Sequence, residues 1–299
     1  MNRLLYIMVY LPALLLALLP FRVLFPISDF FYFIIYYIAR YRRKLVRKNL
    51  NNAFPEKTQP EIRKIEKNFY RHFCDHFVET IKLLHISDAQ MQERFVFKNM
   101  EPVQHFVDKR QPIVLILGHY GNWEWVPSIV LHVRSDANMI FGQVYRPLNN
   151  KIFDRFFLYL RKRFHSTGFT KHNIYRDIVN LRKANTNWMI GFMSDQKPSG
   201  NQIPYQMPFL NQDTPVLTGT EKIAQHTAAA VCYLDITCLK RGYYEGSILV
   251  ISDNASETRE YEITEKYMQS LEQTIRRNPS AYLWTHNRWR LKIKHRFIY

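Results

Sequence analysis

Short apolar runs alternate with amphipathic segments along most of the chain after residue 110. The run Ile113–Leu117 is wholly apolar and rich in β-branched residues, as in a strand that is buried on both faces. Similar runs predict strands at Asn138–Val144, Trp188–Met193, Val231–Leu239 and Tyr244–Ile251. Between the runs, apolar side chains recur at helical spacing over Asn150–Arg163, Ile174–Lys183, Pro215–Thr227 and Arg259–Arg277. Strands that alternate with helices predict an α/β fold with a mixed, mainly parallel central sheet flanked by helices.

Two further segments have a clear period. Apolar residues recur at helical intervals from Ile62 to Leu84, behind Thr58 and Glu61, which have the spacing of a capping box. This pattern predicts one long amphipathic helix. Near the end, Arg288–Lys294 alternates cations with apolar residues, which predicts a strand with one basic, solvated face.

The N-terminal region predicts a membrane anchor. Leu4–Phe21 contains no charged residue and is just long enough to cross a bilayer, which takes about 20 residues. Pro12 and Pro20 can kink such a helix. Arg3 also suits a signal peptide, but no small-residue cleavage site follows Phe21, so an uncleaved anchor is the preferred interpretation.

A second apolar stretch, Phe30–Ala39, leads into a cluster of cations. Its six members are Arg40, Arg42, Arg43, Lys44, Arg47 and Lys48. Because cations remain on the cytoplasmic side of a membrane, we expect the body of the protein on the cytoplasmic face. We divide the chain into a membrane anchor with a basic membrane-surface segment (1–48) and a catalytic domain (49–299).

Charge narrows the choice of partners. Lys and Arg number 42 and Asp and Glu 25, a formal charge of +17, so the chain favours an anionic partner. The basic, aromatic segment Trp284–Tyr299 would suit nucleic acid. The anchor and the lack of a recognised nucleic-acid motif favour the anionic inner leaflet, and a basic membrane-surface or nucleic-acid-binding protein is the non-enzyme alternative.

The three cysteines, Cys74, Cys232 and Cys238, form no CxxC pair; the last two share a predicted strand, about 20 Å apart.

The segment Gly118–Glu124, sequence GHYGNWE, follows the first predicted strand. In open α/β sheets, active sites gather at the carboxyl ends of strands. A glycine-rich turn there can bring His119 and Glu124 together, although they are five residues apart. A histidine oriented by a carboxylate is a recurring general base, so this pair is the candidate catalytic site.

The whole motif, with others along almost the entire chain, resembles the late acyltransferases of lipid A biosynthesis, a branch of the lysophospholipid acyltransferases with an H-x4-D/E motif. The matching segments are Arg43–Glu56, Tyr145–Asn150, Ser194–Gln196, Pro208–Leu210 followed by Thr214–Gly219, and Tyr282–Arg288.

The resemblance implies acyl transfer from a thioester on acyl carrier protein to a hydroxyl of a phosphorylated glycolipid, at the bacterial inner membrane. His119 would be the general base and Glu124 would orient it. Asn122 or backbone amides of the turn would stabilise the oxyanion. Arg146 would bind phosphate or the donor's carrier group. Asp195 and Gln196 would lie in a turn at the substrate site, where Asp195 would either shape the turn or orient Arg146. No metal, cofactor or covalent acyl-enzyme is implied.

Two alternatives stay open. A glycerophospholipid or an aminolipid could be the acceptor, because the same motif serves those reactions. The second alternative is a metal site on the predicted long helix, in the cluster of His72, Cys74, Asp75, His76 and Glu79. His72 and His76 are four residues apart and could face one ion. Phe73 follows His72 in place of the glutamate of an HExxH motif, so a polar helix face is the preferred interpretation.

Overall fold

The computed structural model describes residues 3–198 and 205–290 of the 299. Its strands, in chain order, are β1 (Phe95–Lys98), β2 (Ile113–Leu117), β3 (Met139–Tyr145), β4 (Thr167–Thr170), β5 (Asn187–Met193), β6 (Gln206–Phe209), β7 (Gln212–Pro215), β8 (Ala230–Lys240) and β9 (Tyr243–Ser252).

Its α-helices are α1 (Arg3–Leu18), α2 (Phe21–Phe33), α3 (Arg43–Ala53), α4 (Gln59–Lys82), α5 (Asp88–Arg94), α6 (Glu101–Asp108), α7 (Lys151–Arg161), α8 (Ile174–Lys183), α9 (Gly219–Thr227) and α10 (Glu262–Arg277). A π-helical turn, Ile34–Ile38, extends α2, and a 3-10 helix, Trp123–His132, follows β2.

Seven of the described strands form one sheet in the order β1-β9-β8-β2-β5-β3-β4. Every neighbouring pair is parallel except the antiparallel hairpin of β8 and β9. β2 is central and each of its side chains is buried, as its unbroken apolar sequence predicts. The predicted α/β class with a mainly parallel sheet is confirmed.

The N-terminal region differs from the predicted single span. α1 ends at Leu18 and α2 begins after Pro20, whose ring fits the start of a helix. Within the described residues, one helical stretch is long and apolar enough to cross a membrane, Phe21–Ile38, with a mean hydropathy of 1.4. The predicted domain boundary at residue 48 falls inside α3.

Both N-terminal helices pack on the body of the protein. Ala17 and Leu24 are completely buried, and the Lys82 ammonium of α4 donates to the backbone oxygens of Ala17 and Leu19. Arg241, at the β8–β9 turn, binds Asp29 of α2. The helices are therefore fixed to the α/β core by polar contacts as well as by apolar ones.

Several local predictions can be compared directly with the structure. The capping box at Thr58 and the shared strand of Cys232 and Cys238 are confirmed. The helix predicted from Pro215 begins at Gly219, because Gln212–Pro215 pairs with β6 in a hairpin. Arg288–Arg290 forms a 3-10 turn where a strand was predicted, and the remainder of that segment lies outside the described residues.

Candidate active site

The turn Gly118–Glu124, named the catalytic turn because it carries the candidate base His119, leaves the carboxyl end of β2 at the centre of the sheet. β5 lies beside β2 in parallel, and Leu117 is in register with Met193. His119 lies two residues after Leu117, and Asp195 lies two residues after Met193. The register therefore places the two side chains opposite each other at the same edge of the sheet, although they are 76 residues apart in sequence.

His119 is held by Asp195 through two contacts. Its Nδ1 lies 2.7 Å from Asp195 Oδ1, and its backbone N–H donates to Oδ2 over 3.2 Å. The carboxylate can only accept, so Nδ1 carries the hydrogen and Nε2 has a free lone pair. The Gln196 side-chain nitrogen, 3.2 Å from Nε2, donates to that lone pair. This tautomer is the one that a general base needs.

Asp195 is buried yet strongly acidic. Burial by itself would raise its pKa, but the charge of His119, the hydrogen bonds from His119 and the charge of Arg288 together lower the pKa to about 2. Tyr282 lies close to this carboxylate, whose charge helps to raise the pKa of the Tyr282 hydroxyl after burial, the main cause. Asp195 is thus ionised at neutral pH and favours the imidazolium that forms when His119 takes a proton.

Glu124 does not contact His119 through a hydrogen bond, contrary to the expected pair. It forms a bidentate ion pair with Arg161 of α7, at 2.6 and 2.9 Å. The turn continues directly into the 3-10 helix, which directs Glu124 away from Nδ1 and towards α7. Burial raises the pKa of Glu124, but Arg161 and, more weakly, His76 and His119 lower it below its usual range.

Of the remaining predicted residues, Gln196 contacts His119, whereas Asn122 and Arg146 are not directed at it. Gln196 lies against His119, as the turn after β5 allows. Asn122 is fully buried, and its amide donates to Glu79 of α4 over 2.8 Å, which directs it away from a substrate. Arg146 is exposed after β3, and Asp195, which was expected to orient it, is bound to His119 instead.

Side chains of α4 support the turn from behind. His72 Nε2 lies 3.2 Å from the carbonyl oxygen of Gly121, and His76 stacks on Trp123 with ring centroids 3.9 Å apart. Burial lowers the pKa of His76 to about 3. Trp123 also contacts His119 edge to face, with ring centroids 5.4 Å apart. His72 and His76 therefore contact the catalytic turn, as expected of a polar helix face that packs on the body of the protein.

Two residues at the site were missed by the sequence analysis, and a third, Glu79, was considered only as a member of a candidate metal cluster. Arg161 is one cation in an ordinary amphipathic helix and carries no local signal. Tyr282 lies in the closing motif, and its proximity to Asp195 depends on tertiary structure. Glu79 lies on the predicted long helix, and only its burial and contacts distinguish it from other glutamates.

A narrow apolar crevice lies beside His119, under the 3-10 helix. Its cavity is about 40 Å³, and its walls come from β2, β3, β5 and the 3-10 helix. Leu117, Trp123 and Met193 form the end nearest to His119, while Phe141 and Met189 lie deeper along the strands. The site therefore combines His119 with a small apolar crevice, whose cavity has room for only a few water-sized groups.

Such a site is suited to reactions in which a hydroxyl is deprotonated beside an apolar chain. Residues 2–291 match the family model described as bacterial lipid A biosynthesis acyltransferase. The lipid A biosynthesis palmitoleoyltransferase of Escherichia coli strain K12 is 21% identical over 253 residues, covering 84% of this chain and 79% of the relative. A lipid A biosynthesis acyltransferase of Shigella flexneri matches to the same extent.

The chain belongs to the bacterial lipid A biosynthesis acyltransferase family. The resemblance seen in the sequence motifs is confirmed, and with it an acyltransferase activity towards a lipid A-type acceptor.

Proposed function

We propose that this protein transfers a fatty acyl group from acyl carrier protein to a hydroxyl of a phosphorylated lipid A precursor, with His119 as the general base. The observation that carries the proposal is the His119–Asp195 contact of 2.7 Å, which leaves the Nε2 lone pair at the open edge of the sheet. The side chain of His119 is 15% exposed, enough for a bound substrate to reach it.

In the proposed reaction, the acceptor hydroxyl displaces the Gln196 amide from Nε2. His119 takes the hydroxyl proton while the oxygen attacks the thioester carbonyl. As the carbon–sulfur bond breaks, the sulfur leaves and takes the proton from His119, so an ester and a free thiol are formed. Asp195 orients the ring and stabilises its charge, and the nearby Glu124 adds to that stabilisation, partly neutralised by Arg161.

We place the acyl chain in the apolar crevice, which would have to widen to admit it, because its cavity of about 40 Å³ has room for only a few water-sized groups. It begins at Leu117 and Trp123, next to His119, and extends between β2, β3 and β5. A chain bound there would place its thioester carbonyl near the base. Arg146, exposed at the same end of the sheet, is proposed to contact a phosphate of the acceptor or of the donor's carrier group.

We further propose that the protein attaches to the cytoplasmic face of the inner membrane through its first two helices. Apolar side chains exposed on them and on the π-helical turn are Ile7, Met8, Leu11, Leu15, Leu18, Val23, Phe30, Phe31, Phe33, Tyr37 and Ile38. The basic segment of α3 follows directly. Apolar insertion next to cations suits an anionic leaflet.

Product mass spectrometry tests the proposed reaction. Purified protein in mixed micelles is given acyl carrier proteins that bear several chain lengths and an under-acylated, phosphorylated lipid A precursor. A new acyl mass should appear on the precursor, and His119→Ala should reduce its rate by about 10²–10⁴-fold. His85→Ala, at an exposed histidine, is the matched control.

An equal rate in the His119→Ala protein would overturn the assignment of the base. Product formed only on a glycerophospholipid or an aminolipid would overturn the assignment of the acceptor. Product formed only from acyl-coenzyme A would overturn the assignment of the donor.

A further inference from the structure

Glu79 of α4 is buried and forms hydrogen bonds with residues of the catalytic turn and of the 3-10 helix that follows it. Its Oε2 accepts hydrogen bonds from the Asn122 amide at 2.8 Å and from the Tyr244 hydroxyl at 2.7 Å. Its backbone oxygen accepts from the Trp125 indole at 3.0 Å. Glu79 therefore holds two residues of the segment that includes Trp123 and Glu124.

Two buried oxygens at this contact have no hydrogen-bond partner among the described residues. They are Oε1 of Glu79 and Oδ1 of Asn122, and both are sealed from solvent. They belong to the two side chains that are already joined through Oε2 and the amide nitrogen. An ionised carboxylate would leave two acceptors facing a space without a donor, which is costly in a buried site.

We propose that Glu79 is a neutral carboxylic acid that pairs with Asn122 through two hydrogen bonds and thereby positions the catalytic turn. One hydrogen on Oε1 converts an unpartnered acceptor into a donor to Asn122 Oδ1, so that both atoms are satisfied at once. Glu79 is then a positioning residue, and its effect on turnover rests on the role proposed above for His119.

The charges around Glu79 agree with a neutral acid. Its pKa is raised to about 8, chiefly by burial and also by Asp75, one turn earlier on α4. The hydrogen bonds from Tyr244 and Asn122 and the charge of Arg241 lower the pKa, but the Arg241 guanidinium is bound to Asp75 and Asp29. Other titratable groups at the cavity that Glu79 lines include Arg71 and His72 of α4 and Cys238, Lys240 and Tyr244 of the β8–β9 hairpin.

The position of this pair explains how it would affect catalysis. Asn122 immediately precedes Trp123, whose ring lies between His76 and His119. A loosened Asn122 would let Trp123 shift, and with it one wall of the acyl crevice. The effect should therefore fall on the rate and on the binding of the acyl donor.

The substitution Glu79→Gln distinguishes a neutral acid from an ionised carboxylate at this position. The glutamine oxygen can accept from Asn122 and Tyr244, while its NH2 group donates to Asn122 Oδ1, as the acid would. We expect Glu79→Gln to keep the wild-type turnover, and Glu79→Ala to lose about tenfold or more, since it leaves buried polar groups unpaired. Wild-type turnover should also fall above about pH 8, where Glu79 ionises, while that of Glu79→Gln should not.

Infrared difference spectroscopy gives a readout that does not depend on activity. The wild-type protein at neutral pH should show the C=O stretch of a protonated carboxyl group, and this band should be absent from Glu79→Gln. Both spectra can be recorded even if no acyl transfer is found, so the pairing and the proposed reaction can fail separately.

Two outcomes would overturn the proposal: loss of turnover in Glu79→Gln equal to that in Glu79→Ala, or no protonated carboxyl band assignable to Glu79. If Glu79→Ala does not fold, Glu79→Gln combined with Asn122→Asp replaces it. That double variant exchanges the acid and the amide and should recover the turnover that Asn122→Asp alone loses; failure to recover also contradicts the pairing.

Discussion

Asp195 and Glu79 are both buried carboxyl groups that contact the catalytic turn, one from the open edge of the sheet and one from behind. Asp195 faces His119 and the nearby Arg288, and its pKa is lowered to about 2. Glu79 faces an amide and a hydroxyl, and burial raises its pKa to about 8. The difference indicates that the partners of a buried carboxyl group help to decide its charge. In the account proposed above, Asp195 is an anion that supports His119 and Glu79 is a neutral acid.

Glu124 gives the comparison an intermediate case. It is buried on the same turn, and Arg161 keeps its pKa below the usual range despite the burial. Arg161→Met should destabilise the fold by about 3–5 kcal/mol, because it leaves a buried carboxyl group without its cation. Chemical denaturation in detergent measures this, with Lys151→Met, at an exposed residue of the same helix, as the control. Unfolding at the wild-type denaturant concentration would show that the pair contributes no stability.

The stability of Glu79→Gln should diverge from wild type as pH rises. Folded wild-type protein keeps the Glu79 proton up to about pH 8, while the unfolded chain loses it near pH 4.5, so unfolding becomes easier between these values. The variant lacks this group, so its free energy of unfolding relative to that of the wild type should increase by about 1.4 kcal/mol per pH unit in that window. Denaturation at pH 5, 6, 7 and 8 measures the trend. A constant difference would mean that Glu79 is ionised in the folded protein.

Gly191, in the apolar crevice, and Gly121, in the catalytic turn, should respond differently to an added side chain. A Cβ on Gly191, in the acyl crevice, meets nothing closer than 3.7 Å, whereas at Gly121 it would lie 2.7 Å from Ile236, with φ at +59°. Gly191→Val should fold normally and shift the products towards shorter acyl chains. Gly121→Ala should lose about 1 kcal/mol or more from backbone strain alone. Product masses and denaturation test the pair; an unchanged chain-length profile in Gly191→Val would place the acyl chain elsewhere.

Most of the sheet could be predicted because its central strands are continuous apolar runs. β2 coincides with Ile113–Leu117, and five of the six predicted strands exist. The sixth, Arg288–Lys294, forms a 3-10 turn over its described residues. The short strands β1, β4, β6 and β7, of four residues each, were missed, since runs of that length carry little periodicity. The first helix could not be placed, because hydropathy does not show whether an apolar helix crosses a membrane or packs on the protein, as Ala17 does.

The site was predictable in its parts but not in its pairings. His119 and Asp195 both follow predicted strands, yet which carboxyl group meets His119 depends on β2 and β5 being neighbours. The sequence favoured Glu124 because it is close along the chain. Strand order and register, which no local pattern contains, select Asp195 for that contact and leave Glu124 to Arg161.

A double-mutant cycle on His119 and Asp195, measured as single-turnover acyl transfer, tests the central claim most directly. If Asp195 acts by orienting His119 and stabilising its charge, Asp195→Asn alone should cost about 10³-fold or more. The double variant should then be no slower than His119→Ala, since the two residues act as one unit. Independent, multiplying losses, or a near-normal rate in Asp195→Asn, would contradict the account.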